Sequence, residues 1–202
     1  GLSKWITGEE ARSHVQKQRH RYTAIMAGVG TILADDPMLT CRLPDSRSPI
    51  RIVCDTRLRT PLTAQVVADA GQVPTILATC CDVRDRHLAY ESAGCRIVVV
   101  DEKDGHVDLQ QLMERLGDQQ IDSILLEGGG TLNWAALESG IVQRVQAYIA
   151  PKLFGGRDAK TPVEGQGVPA PAQAFRLKNT AVTRLGEDFL MESEVEYVHR
   201  DH

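Results

Sequence analysis

The chain has 202 residues, 42% apolar and 25% charged, with a formal net charge of −4. That composition suits one globular α/β domain or two very small ones, and it leaves no electrostatic case for nucleic acid. No basic run points to a membrane surface, no apolar stretch nears membrane-spanning length and no signal peptide opens the chain, so a cytoplasmic protein is the default expectation. The five cysteines, Cys41, Cys54, Cys80, Cys81 and Cys95, are odd in number and fit no zinc spacing. They read as reduced thiols, and the six scattered histidines give no metal site. The first residues, Gly1-Leu2-Ser3-Lys4-Trp5, carry no initiator Met and read as a piece of a longer protein.

In chain order, Thr7-Gly8-Glu9-Glu10 fits a capping box and predicts a helix over 9–21, with Ala11, Val15 and Gln18 inward and a basic outer side. The apolar run 23–30 closes on Gly28-Val29-Gly30 and reads as a buried strand, followed by one helical turn over 31–35 that Pro37 stops. Residues 49–56 form a β-branched strand, and 58–71 read as loop with one strand fragment. A regular alternation follows: strand 75–79, helix 83–93 ended by Gly94, strand 95–101, helix 108–116 capped by Asp108, strand 121–126 and helix 131–138 ended by Gly140. Such alternation with short links predicts a parallel sheet covered by helices. Residues 142–150 are strand-like, 151–171 form a Gly/Pro-rich connection, and 175–185 with 188–197 alternate around Gly186-Glu187 as an antiparallel hairpin. The predicted fold is therefore α/β, a mainly parallel mixed sheet flanked by helices with a C-terminal antiparallel hairpin.

One joint stands out chemically. The apolar run Ile124-Leu125-Leu126 ends in Glu127, then Gly128-Gly129-Gly130, then a helix. Glycines admit close backbone approach, and a helix N-terminus attracts phosphate. A plain tight turn fits the same residues. The G-x-G-x-x-G fingerprint, a Walker A loop and a G-x-S-x-G elbow are all absent. What remains is a set of polar residues at strand ends: Ser3, Arg19, Asp35, Arg42, Asp55-Thr56 and Glu127. Arginine forks suit phosphate and carboxylate, and a strand-end carboxylate can bind ligand amides or handle a proton. Equally, Asp35 and Asp36 could cap a turn, and Arg42 could lie on a solvated loop.

Ordered motifs sharpen this. Ser3-Lys4-Trp5-Ile6-Thr7, Gly28-Val29-Gly30-Thr31 leading to Ala34-Asp35-Asp36-Pro37, Leu39-Thr40-Cys41-Arg42, Arg51-Ile52-Val53-Cys54-Asp55, Glu127-Gly128-Gly129, and Ala150-Pro151-Lys152-Leu153 with Gly155-Gly156 occur in that order over nearly the whole chain. Together they resemble the reductase domain of the bacterial bifunctional riboflavin-biosynthesis deaminase-reductase. The resemblance implies a dihydrofolate-reductase-like fold. It also implies NADPH-dependent reduction of the ribosyl group of 5-amino-6-(5-phosphoribosylamino)uracil to the ribityl product. By motif, Ser3, Arg19, Leu39, Arg42 and Glu127 fall where that family contacts substrate, with Arg19 and Arg42 as holders of the 5′-phosphate. Trp5, Thr31, Asp35, Thr56 and the turn Gly129, Gly130, Thr131, Leu132, Asn133, Trp134, Ala135 fall where it contacts NADP. Glu127 is expected to orient the substrate and Asp35 to organise the site or a proton path, and Arg57 or Arg59 is expected to meet the 2′-phosphate.

The zinc-deaminase signature of the family's other half does not occur, so a single reductase domain over 1–202, fused in the native chain to a deaminase, is expected. The family's first strand, central in its sheet, precedes the Ser3-Lys4-Trp5 segment and is not among these residues; weak or absent activity is therefore expected of these residues alone. The late hairpin's strand edges predict a homodimer. Two other readings stay open: another dihydrofolate-reductase-like enzyme acting on a pterin or related uracil, and a truncated nucleotide-binding or dimerisation module without turnover.

Overall fold

A computed structural model describes residues 6–156 and 159–197. Helix α1 (Glu9–Arg21) leads into β1 (Ala24–Gly28), α2 (Val29–Asp35), β2 (Ile50–Cys54), α3 (Gln65–Ala68), β3 (Thr75–Thr79), α4 (Arg84–Ser92) and β4 (Arg96–Val99). A two-residue pair, β5 (Glu102–Lys103) with β6 (His106–Val107), precedes α5 (Leu109–Gly117), β7 (Ile124–Leu126), α6 (Gly130–Glu138) and β8 (Arg144–Ile149). The hairpin β9 (Arg176–Leu185) and β10 (Asp188–Glu196) ends the described chain.

Five parallel strands form one sheet in the order β4-β3-β2-β1-β7. Their side chains alternate between two cores, as a strand's period of two requires. Ala24, Met26, Ile52, Cys54, Ile76 and Ala78 point to one face, where α5 covers them with Leu109, Leu112 and Leu116. Ile25, Ala27, Val53 and Leu77 point to the other, against Val29 and Ile32 of α2 and Val66 and Val67 of α3. With both faces covered, the strands read as continuous apolar runs rather than alternating ones.

The antiparallel part forms as expected, around Gly186 at φ 64°, but it is hydrogen-bonded as its own three-stranded sheet, β8-β10-β9. Strands β7 and β8 are edges of their respective sheets. Helix α1 touches both: Arg19 bonds Glu127 just beyond β7, and His14 bonds Tyr148 on β8.

Three local expectations need correction. Thr7 does not cap α1. The N-cap is Gly8, without a side-chain capping bond, and its N–H donates instead to Asp188 Oδ2 at 2.6 Å. A carboxylate at that helix end is electrostatically favoured, and it comes from the hairpin rather than from a local box. Residues 58–71 hold no strand; Val66 and Val67 are buried by the short helix α3, whose first N–H donates to Asp36 Oδ1 at 2.9 Å. The pair β5–β6 was not anticipated, because two-residue strands leave no periodicity to read.

Arg51 is the largest fully buried side chain. Its Nη1 meets Asp69 Oδ1 at 2.6 Å, its Nε donates to Thr75 Oγ1 at 2.9 Å, and Nη2 and Nη1 donate to the carbonyls of Val73 and Met38. A buried guanidinium is tolerable when its donors are so engaged. The Met38 bond also fixes the chain just before Leu39, which adopts φ 52°.

Candidate active site

Ligands in parallel sheets gather beyond the carboxyl ends of the strands, where the strand order reverses. Here that point lies between β1 and β7, since the chain runs from β1 through β2, β3 and β4 on one side and β7 joins on the other. A cleft of about 550 Å³ opens there. It is lined by Gly28, Thr31 and Asp35 from β1 and α2, by Thr56 and Arg59 beyond β2, and by Gly128–Leu132 and Ala135 from the glycine turn and α6.

The glycines shape the cleft. At Gly128 a Cβ would lie 3.1 Å from the Leu132 side chain, and at Gly129 3.5 Å from Thr31 Oγ1. At Gly30 it would meet nothing within 4 Å, because that backbone faces open cleft. A backbone so bare, running into the N-terminus of a nine-residue helix, suits a dinucleotide's phosphates. From the far side, a strap from the Gly/Pro-rich connection closes over it. Lys160, Thr161, Pro162 and Glu164 line the cleft, and Glu164 N–H donates to the Gly130 carbonyl at 3.1 Å. Asn133 Nδ2 donates to the Pro162 carbonyl at 2.8 Å, and Thr131 Oγ1 donates to Glu164 Oε2 at 3.4 Å. A Cβ at Gly130 would overlap the Glu164 side chain.

The second surface sits where α1 meets the end of β7. Arg19 grips Glu127 with two parallel bonds, Nε to Oε1 at 2.9 Å and Nη2 to Oε2 at 2.6 Å. Their side chains are 14% and 25% exposed. Burial opposes the Arg19 charge, but the hydrogen bonds and charge of Glu127 outweigh it and raise the guanidinium pKa. Arg19 Nη1 also donates to the Thr40 carbonyl at 2.9 Å, so one side chain ties α1, β7 and the loop after α2. Among the described residues three of its five N–H groups are engaged, and the other two are open to a ligand.

Most expected residues thus converge. Thr31, Asp35, Thr56, Gly129, Gly130, Thr131, Leu132 and Ala135 line the cleft. Asn133 and Trp134 do not; Asn133 holds the strap, and Trp134 stacks edge-on to Phe175 at 5.9 Å. The neighbouring acids divide: Asp35 faces the cleft, whereas Asp36 binds Gln65. Leu39 is buried in the core, so it offers a ligand backbone rather than side chain. Arg42 is exposed, its N–H donating to Gln16 Oε1 at 2.8 Å. Arg59 lines the cleft and Arg57 does not. Buried Asp55 explains the former, since its Oδ2 accepts from Arg59 N and Thr60 N, both at 2.6 Å, and from Thr60 Oγ1 at 2.8 Å. Ser3 and Trp5 lie outside the described residues. Lys160 and Glu164 were not anticipated, because nothing local marks them within a Gly/Pro-rich stretch, and His106 enters the cleft only through the short β5–β6 pair. Among the described residues no group of His, Cys, Asp or Glu is placed to hold a metal.

Residues 1–191 match the RibD C-terminal domain. The chain belongs to that family. It is 51% identical over 192 residues to the riboflavin biosynthesis protein RibD of Actinobacillus pleuropneumoniae, covering 95% of this chain and 51% of the relative. It is 38% identical over 196 residues to the 2,5-diamino-6-ribosylamino-4(3H)-pyrimidinone 5′-phosphate reductase of Methanothermobacter thermautotrophicus, covering 96% of this chain and 89% of that protein. Among solved structures, Acinetobacter baumannii RibD superposes with a TM-score of 0.80 at 28% identity, covering 96% of this chain and 52% of that one. The chain therefore spans about half the length of the RibD proteins it matches. The family shares the reductase-type fold, a parallel sheet flanked by helices with an antiparallel hairpin.

Proposed function

We propose that this chain reduces the ribosyl group of 5-amino-6-(5-phosphoribosylamino)uracil to the ribitylamino product, with NADPH as cofactor, in riboflavin biosynthesis. The observation that carries this reading is the adjacency of two surfaces at the ends of β1 and β7: a glycine-lined cleft, and an Arg19–Glu127 pair one residue before its first glycine. NADPH, when bound, supplies hydride. The chain's own residues bind, orient and exclude water. Gly129 to Thr131 and the start of α6 would hold the cofactor's pyrophosphate. Thr31, Thr56 and Asp35 line the rest of the cofactor's course, Glu127 orients the substrate, and Arg42 with the two spare donors of Arg19 holds its 5′-phosphate.

Arg59 is assigned to the 2′-phosphate, supported by its place in the cleft wall. In absorbance assays of cofactor oxidation, the parent protein should consume NADPH with the phosphorylated aminouracil far faster than with a pterin or the diaminopyrimidinone. No NADPH consumption with any of these by the full-length protein would sink the reading. Arg59→Ala should raise KM for NADPH about 10-fold, the loss of one charge-assisted contact, and leave KM for NADH unchanged.

The native protein is read as cytoplasmic, and also as fused to a deaminase, the fusion being supported by the half-length match to RibD proteins. Among the described residues no helix is long and apolar enough to cross a membrane. Among the described residues no strand pairs with the outer edges of β7 and β8, and these edges are read as the place where the reductase domain receives a further extended segment, since strand edges need partners. Val182, Phe189 and Leu177 are 64%, 42% and 40% exposed on the antiparallel sheet, which supports a homodimer through that sheet. Sedimentation should find a dimer that Val182→Lys dissociates; a monomer at all concentrations would exclude it.

A further inference from the structure

A helix face turned into a protein should be apolar unless its polar groups have work to do. On α1 the buried Ala11 is followed inward by His14 and Gln18, one turn apart. Gln18 is buried, its Nε2 lies 3.3 Å from His14 Nε2, and its Oε1 has no hydrogen-bond partner among the described residues. His14 Nδ1 lies 2.8 Å from the Tyr148 hydroxyl on β8. In the tautomer that carries hydrogen on Nδ1, His14 donates to the Tyr148 oxygen and its Nε2 accepts from the Gln18 amide. The phenolic hydrogen is then free for a third group, and none among the described residues receives it. Beside His14 and Gln18 on the same helix, Arg19 grips Glu127.

We propose that Tyr148 is a further catalytic residue, donating its hydroxyl proton to the sugar ring oxygen of the substrate that Glu127 orients, with His14 and Gln18 as its positioning residues. This inference rests on the proposed reduction. Burial pushes the Tyr148 phenol up to about 12, with Glu127 first among the neighbouring carboxylates that add to it, so it holds its proton at neutral pH. An alkoxide is a stronger base still and can take that proton. In the step, the bond between C1′ and the ring oxygen breaks as C1′ gains hydride. The oxygen leaves with the electron pair and takes the proton of Tyr148. The phenolate is stabilised by the His14 Nδ1–H bond and recovers a proton from water. Sugar carbon is reduced, the cofactor oxidised, and one proton is drawn from solvent.

The test uses the full-length protein. Tyr148→Phe keeps the ring and removes only the hydroxyl. It should lower kcat about 100-fold, within the range for loss of a general acid, while KM for NADPH stays within about two-fold. Without cofactor, calorimetry should find substrate Kd raised about 3–10-fold, the worth of one neutral hydrogen bond. His14→Asn should lower kcat in the same direction and add no further loss to Tyr148→Phe, because the two act as one unit. A Tyr148→Phe enzyme with unchanged kcat, or one that loses NADPH affinity as much as turnover, overturns the role. If the parent protein itself fails to oxidise NADPH with this substrate, the proposed reduction falls, and this inference with it; a working parent beside an unimpaired Tyr148→Phe sinks the Tyr148 role alone.

Discussion

Glu127→Gln lowers turnover about 100-fold, the scale of a misplaced reactant, and leaves the affinity for NADPH nearly unchanged. The substitution is close to isosteric and keeps one acceptor oxygen, so the backbone of the glycine turn has no steric reason to move. What changes is charge. Arg19 loses its counter-ion while 14% exposed, and one of its two parallel bonds loses its acceptor. Breaking a well-buried pair costs about 3–5 kcal/mol, and the partial exposure of both groups reduces this to about 1–2 kcal/mol. Thermal unfolding should therefore drop by about 2–8 °C for a chain of this size. The turnover loss exceeds the stability loss because Arg19 also holds the Thr40 carbonyl, so a freed guanidinium loosens the loop that carries Arg42. Stopped-flow turnover and calorimetric NADPH binding on one preparation check both parts. A variant with parental turnover would remove Glu127 from the reacting centre.

Arg42→Ala raises KM for the phosphorylated substrate about 10–100-fold, the worth of a charge-assisted contact with phosphate. Its backbone is secured through Gln16, independently of the side chain, and no salt bridge engages its guanidinium among the described residues. Removing an exposed side chain should leave stability within about 0.5 kcal/mol. The dephosphorylated substrate should bind parent and variant alike. Equal losses on both substrates would assign Arg42 to the heterocycle or the sugar rather than to phosphate. Because Arg19 and Arg42 share a loop through Thr40, the pair of substitutions should combine non-additively.

Much of this was legible in the residues. The run 124–126 followed by Glu127 and three glycines has one economical solution, a strand end, a tight turn and a helix start, and β7 and α6 form there. Asp108 announced its helix by a local rule and satisfies Gln110 N and Gln111 N as that rule requires. The site residues carried by motifs at strand ends came together because a parallel sheet gathers its carboxyl ends on one side. What was not legible depended on distance. Thr7 has the local chemistry of a cap, yet Asp188 takes the role, and no window of sequence contains both. The buried valines of α3 lie in four helical residues, too few to impose a period. The strap residues Lys160 and Glu164 owe their position to contacts with Gly130 and Asn133 across the cleft, not to any pattern of their own. Gln18 was read as inward, but its sequence could not say that its partners there would be polar.

The long-range bond to Gly8 has a consequence for how the protein is made. Donor and acceptor are separated by 180 positions. A ribosome adding about 5–20 residues per second needs on the order of ten to forty seconds to cover that interval. Helix α1 emerges well before β10 and is then without the carboxylate that sits at its N-terminus. It waits, frayed at that end, until the turn of the last hairpin arrives. Vectorial synthesis thus leaves the N-terminal end of α1 unfinished while the parallel sheet is already able to form, and the hairpin then supplies its carboxylate.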